Sequence, residues 1–256
     1  MTPPYRLATR RLDVFDRGIA DNRSIAGGSN VAAKVDFDGR QDQVLEYLSP
    51  KLNGVTVAAA QINLNPTVSL GSQYQGNATS VAVLYDANGV FGSISYEHHN
   101  LQNSTTFTRL GSEHASKIGA GYTREKIFTI GLFGEQTADD LGTGGTNLYG
   151  HQAYYVAGKY FVGNAGAIKA AYTLANNIGG GNTANTGAGQ ATIGYDYRLS
   201  KHTTLYALYT KLSNDAAASY SLSIYNSTAA SIGGPTTIAG TGASPSATAV
   251  GVLVEF

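Results

Sequence analysis

The 256-residue chain has no cysteine and no tryptophan, and only 13% of it is charged. Without cysteine there is no disulfide framework and no thiolate metal site. No apolar run approaches the ~18 residues that a membrane-crossing helix needs. The charged fraction falls well below the roughly 25% usual in soluble domains, so a hydrated globular surface is poorly supplied. Lysines plus arginines number 17 and aspartates plus glutamates 17, a balance that offers nucleic acid no attracting field. The residues after Met1, TPPYRLATRR, hold no apolar core of signal-peptide length. The chain is therefore expected to be less than a complete exported precursor. What it does have is 32 glycines and 17 tyrosines, with a hydropathy averaging near neutral. Strands that are apolar on one face and polar on the other reconcile these facts, because each averages to neutral.

The carboxy-terminal run TAVGVLVEF places Val250, Val252, Val254 and Phe256 on one face of a strand that reaches the last residue. It resembles the closing strand of a Gram-negative outer-membrane barrel. There the terminal aromatic and the alternate apolar residues before it are the signal read by the barrel-assembly machinery. Ten further strand-like runs precede it, at residues 42–49, 55–64, 80–86, 90–101, 114–123, 127–136, 151–162, 167–175, 191–199 and 203–212. Their connections alternate between short (PKLNG, DANG, REK, GNAG, SKH) and long, around 65–79, 102–113, 137–150, 176–190 and 213–247. Short turns at one end and long loops at the other predict an all-β, transmembrane, antiparallel up-and-down β-barrel. Charge on the lipid face is costly, so Lys117, Lys159, Lys169, Arg198, Glu97, Glu135 and Asp196 are assigned to an aqueous lumen. Tyr47, Tyr85, Tyr122, Tyr195 and Tyr197 suit interfacial girdles.

Residues 7–41 are too long for an ordinary hairpin loop. RLDVFDRGIADNRSI and FDGRQDQVLEYLSPKLNGVTVAA resemble the general porins of β-proteobacteria, as does GYDYRLSKHTTLYALYTKL at 194–212. The resemblance covers essentially the whole chain. It implies a sixteen-stranded trimeric barrel whose third long loop folds inward and narrows the channel. Numbered back from the carboxy terminus, the run at 42–49 becomes the sixth strand. The inward loop then falls at 7–41, and TPPYRL is what is left of the fifth strand. About eleven or twelve strands of the sixteen are expected, amino-terminally truncated, in a single domain over 1–256 with a last extracellular loop at 213–247. A homotrimer is expected only at full length.

The resemblance implies passive diffusion of ions and small hydrophilic solutes, with no catalytic residue, metal or cofactor. The partners it implies are outer-membrane lipid, the assembly machinery and the solutes. Selectivity would come from unlike charges across the narrowest point: Asp13, Asp16 and Asp21 on the inward loop against Arg40, Lys117, Lys159 and Lys169. The membrane-assembly signal is Val252, Val254 and Phe256. Arg10, Arg11, Arg17 and Arg23 are interleaved with the acids and serve equally well as salt bridges holding the loop to the wall. The lysines read equally as solvated wall residues. His98 and His99 face opposite sides of a strand; one of them with Asp139 and Asp140 would imitate the Asp/His sites of outer-membrane proteases. The glycine-rich run at 177–189 lacks a phosphate-loop ending and reads as an exposed loop. A barrel-borne enzyme and a β-rich adhesin are the rival classes.

Overall fold

The computed structural model describes residues 1–15, 18–26, 37–64, 74–179, 184–222 and 241–255. A short helix, α1 (Pro4–Arg10), precedes eleven strands: β1 (Gln43–Leu48), β2 (Val55–Leu64), β3 (Tyr74–Ala87), β4 (Val90–Asn103), β5 (Arg109–Arg124) and β6 (Phe128–Asp139), then β7 (Gln152–Val162), β8 (Gly166–Ala175), β9 (Ala188–Arg198), β10 (Thr203–Asn214) and β11 (Ser246–Val254). They form one antiparallel sheet in strict sequence order, β1 to β11, each strand bonded to its neighbours in the chain. Among the described residues, β1 and β11 are each paired on one side only.

The short connections are built by backbone chemistry that the sequence advertises. Asn53 and Gly54 have φ of 50° and 88°, and Asn88 and Gly89 have 52° and 79°. Two successive positive φ values are the type I′ geometry whose twist matches a hairpin, and asparagine followed by glycine reaches it at least cost. Leu52 and Val55 close the first of these turns with reciprocal N–H to carbonyl bonds of 2.8 and 2.9 Å. The long side departs from expectation. The stretch at 102–113 is not a long loop, because β4 and β5 stay paired up to Gln102 and Arg109, and β3 starts six residues before the run at 80–86. These strand ends alternate polar with polar, so they carry no hydropathy signal, yet their backbone groups still find cross-strand partners.

Outward-facing side chains along the sheet are apolar: Val57, Val83, Ile94, Ile118, Leu132, Val156, Ile168, Ile193 and Val252 are all exposed. Tyr47, Tyr85, Tyr122, Tyr195 and Tyr197 lie on the same face at the short-turn end, as interfacial girdles require. The opposite face is polar, with Ser80, Ser95, Glu97, Glu113, Lys117, Glu135, Thr173, Gln190 and Thr210 buried on it. They are buried because the amino-terminal segment lies across that face, touching residues from β2 round to β10. The TPPYRL run, expected as the remnant of a strand, is instead the start of α1. Pro4 at the first helical turn has no N–H to lose and a φ already helical, while Tyr5 and Ala8 bury one helix face against the wall. The chain thus has eleven strands among its described residues rather than twelve.

Candidate functional site

One end of the inward segment is fastened by charge. Lys117, from the middle of β5, is 2% exposed. Its ammonium pairs with Asp38 on the segment's return limb and, at 3.1 Å, with Glu135 of β6. Tyr5 of α1 donates its hydroxyl to the same Glu135 oxygen at 2.8 Å, and its ring lies 4.4 Å from the lysine ammonium. Burial, then the nearby carboxylates, pushes the Tyr5 phenol up. Burial also pushes Asp38 up, against the lowering pull of Lys117. Beside this cluster Phe37 stacks on His99 at 4.3 Å. The two His99 nitrogens lie 2.7 Å from Glu97 and 2.9 Å from Glu113. Two such bonds need two protons shared among the imidazole and two carboxylates.

The other end is fastened by shape. Leu12 enters a pit in the wall floored by Gly119, Gly121 and Gly131. A Cβ on Gly121 would stand 2.7 Å from a Leu12 methyl, and one on Gly131 would stand 2.5 Å from the Leu12 carbonyl oxygen. Phe15 enters a second pit at Gly194, 2.8 Å from where a Cβ would be, beside Leu208. Ile25 closes a third contact with Ala175, Ala188 and Leu212. Each such burial contributes roughly 1.5–3 kcal/mol.

The acids expected to face a constriction are mostly engaged elsewhere. Asp13 is half-buried and accepts from Tyr155 hydroxyl (2.6 Å), Asn22 amide (2.6 Å) and Phe15 N–H (2.8 Å). Burial, then Asp21, pushes its carboxyl up to about 7. Asp21 is buried; it caps the 3-10 turn Asn22–Ser24 and grips the Arg23 guanidinium at 3.0 and 2.6 Å. Asp16 and Arg17 lie outside the described residues, as do Phe256 and part of the 177–189 run. Arg11 reaches Asp86 on the wall at 2.6 Å, the loop-to-wall salt bridge that the interleaved arginines allowed. Arg40 is exposed, at the end of the segment that leads into β1. Lys117 is no channel-lining group, since Asp38, Glu135 and Tyr5 enclose it. Lys159 and Lys169 are direct cross-strand partners on β7 and β8 that share Asp196, at 3.7 and 2.9 Å. Lys169 also lies 4.7 Å from the Phe15 ring.

The long-loop end adds two findings. Asp139 accepts from the N–H groups of Leu141, Leu148, Tyr149 and Gly150, so it organises its own loop. His98 faces outward opposite His114 while His99 faces inward, and among the described residues no Asp/His site assembles there. The last long connection is not simply a surface loop. Ala218, Tyr220 and Leu222 are buried against Ile25 of the inward segment, held by the Asn214 amide on the Tyr220 backbone. Burial, then Glu135, pushes the Tyr220 phenol up.

Tyr5, Phe37, Asp38 and Glu113 passed unnoticed in the sequence, and His99 was read only toward Asp139 and Asp140. The clue was present in the pits: glycines at 119, 121, 131 and 194 fall on the inner face of their strands, where they leave room for side chains of the segment.

A one-layer antiparallel wall with an apolar outer face and a polar inner face, the latter crossed by a segment of its own chain, is the architecture of a transmembrane β-barrel channel. A family model for Gram-negative porins matches residues 2–217, and the chain belongs to that family. It is an outer-membrane porin, a channel for passive diffusion of ions and small hydrophilic solutes. An anion-selective porin from Comamonas acidovorans has the same fold, with TM-score 0.69 and 20% identity over 100% of this chain and 72% of that one. An outer-membrane protein of Vibrio cholerae, OmpT, superposes with TM-score 0.62 and 11% identity over 99% and 74%. Among curated protein sequences none matches this chain.

Proposed function

We propose that residues 1–41 form the constriction of this porin and that the passage beside them favours anions. The supporting observation is the fate of the charges. Asp13, Asp21 and Asp38 of the segment are each bound up in hydrogen bonds or ion pairs. On the opposite wall two lysines, Lys159 and Lys169, share the single carboxylate of Asp196. Arg10 and Arg40 stand exposed. The field left over at the passage is therefore positive, and a positive field in a narrow aqueous slot raises the local anion concentration. The Comamonas acidovorans porin, described as anion-selective, supports the same reading. In this reading the protein works without a catalytic step. Val252, Val254 and Phe256 direct assembly, and the full-length form is a homotrimer.

The test is the zero-current potential of single channels in a planar bilayer under a potassium chloride gradient. The expected sign is anion-favouring, and the double substitution K159A/K169A moves it toward cations. A wild-type channel that favours cations would overturn the proposal.

A further inference from the structure

The outward face of β8, β9 and β10 is not flat. Tyr172, Ala191 and Lys211 lie in one row across the three strands, and Leu174, Gly189 and Ser213 in the next row toward the long loops. The middle strand carries the two small residues, so the outer strands form walls around a trough. Tyr172 leans over it: a Cβ on Gly189 would stand 2.6 Å from the Tyr172 hydroxyl oxygen. Ile193, one row lower on β9 and 57% exposed, continues the apolar stripe below the trough. Asp215 lies at the upper end. The cavity these residues enclose measures about 280 Å³.

Lys211 is out of place in such a surface. Away from the strand ends it is the one lysine, arginine, aspartate or glutamate among the described residues that faces outward. A lysine on the lipid face costs about 2–4 kcal/mol at the midplane and about 0–1 near the interface. Lys211 lies three residues from the long-loop end of β10, where the hydrocarbon gives way to headgroups. Among the described residues it has no ion-pair partner.

We propose that this trough binds the phosphate-bearing headgroup of an outer-leaflet lipid. The Lys211 ammonium meets the phosphate. The hydroxyls of Tyr172 and Ser213 meet the neighbouring headgroup oxygens. Leu174 and Ile193 continue into the apolar stripe, where the acyl chains leave the headgroup. That continuity with the lipid-facing stripe favours a lipid over a free anion, which has no use for an apolar exit.

The test is native mass spectrometry of the full chain released from bilayers of phosphatidylcholine mixed with phosphatidylglycerol. Phosphatidylglycerol should be retained in preference to phosphatidylcholine. K211Q should reduce that retention about fivefold, the effect of one lysine near an anionic surface. G189V, which fills the floor and keeps the lysine, should reduce it comparably, while millimolar inorganic phosphate should leave it unchanged. Equal retention of the two lipids, or unchanged retention in both variants, would mean that Lys211 merely reaches up to water. Displacement by inorganic phosphate would overturn the lipid assignment in favour of a free-anion site.

Discussion

The inward segment is held at its two ends by different physics. Around α1 and the return limb, Tyr5, Phe37 and Asp38 close on Lys117, Glu135 and His99 of the wall, and the centre of the contact is a buried lysine with its two carboxylates. Along Leu12, Phe15 and Ile25 the same segment is held by volume, with side chains seated in pits made by missing side chains. A charge latch of this kind is costly to break halfway, because removing one partner strands the others in a dry site. A shape latch ignores salt but tolerates no added atom. The contrast suggests that the first latch fixes where the segment lies and the second how closely it lies.

The substitution expected to disturb this contrast most is K117M. It takes from Asp38 and Glu135 the lysine they share, a loss of about 3–5 kcal/mol for a broken buried pair. The α1 end should detach while the Leu12 end stays, so that proteases cut near residues 1–10 in the folded protein and single-channel conductance rises. Full protection in K117M would show that charge does not hold this end. G131V attacks the other latch. Its Cβ would meet the Leu12 backbone, which cannot swing aside, at a cost of about 1–3 kcal/mol for overpacking. Conductance should rise again, this time unaltered by ionic strength; a salt-dependent effect would blur the distinction drawn here.

The smallest effect belongs to pH. Asp13 holds its proton up to about 7 in the docked segment, against an ordinary 3.8. Between those values the docked state carries the extra proton, so docking is strongest below about pH 4, weakens as pH rises to about 7, and is level beyond. Conductance titrated across that window should increase with pH, and D13N should flatten the curve. A D13N channel with the wild-type titration would place the responsible proton elsewhere.

The wall was legible because its signals are local. Asn53–Gly54 and Asn88–Gly89 announce their turns, and the alternation around Ile118, Ile168 and Ile193 announces the lipid face. The site was less legible because its partners are remote. Nothing in VDFDGR says that Phe37 will stack on His99 or that Asp38 will reach Lys117. The alternation that correctly turned Lys117 inward could not tell a channel-lining lysine from one sealed beneath a loop. The TPPYRL run failed for a related reason: a short stretch with two prolines and one aromatic is read by what it packs on, here the inner wall.

The strict neighbour pairing of the sheet also orders events in time. From β1 to β10 each strand meets a partner only a short connection away, so the entropy of closing those connections is small and the wall can zip up in sequence. The segment's fastening bonds are of another kind. Tyr5 bonds Ser80 and Glu135 across 75 and 130 positions, and Asp13 bonds Tyr155 across 142. None of these can form before β3, β6 and β7 stand in place. The segment therefore docks only after the wall beneath it has formed, as the last event of folding.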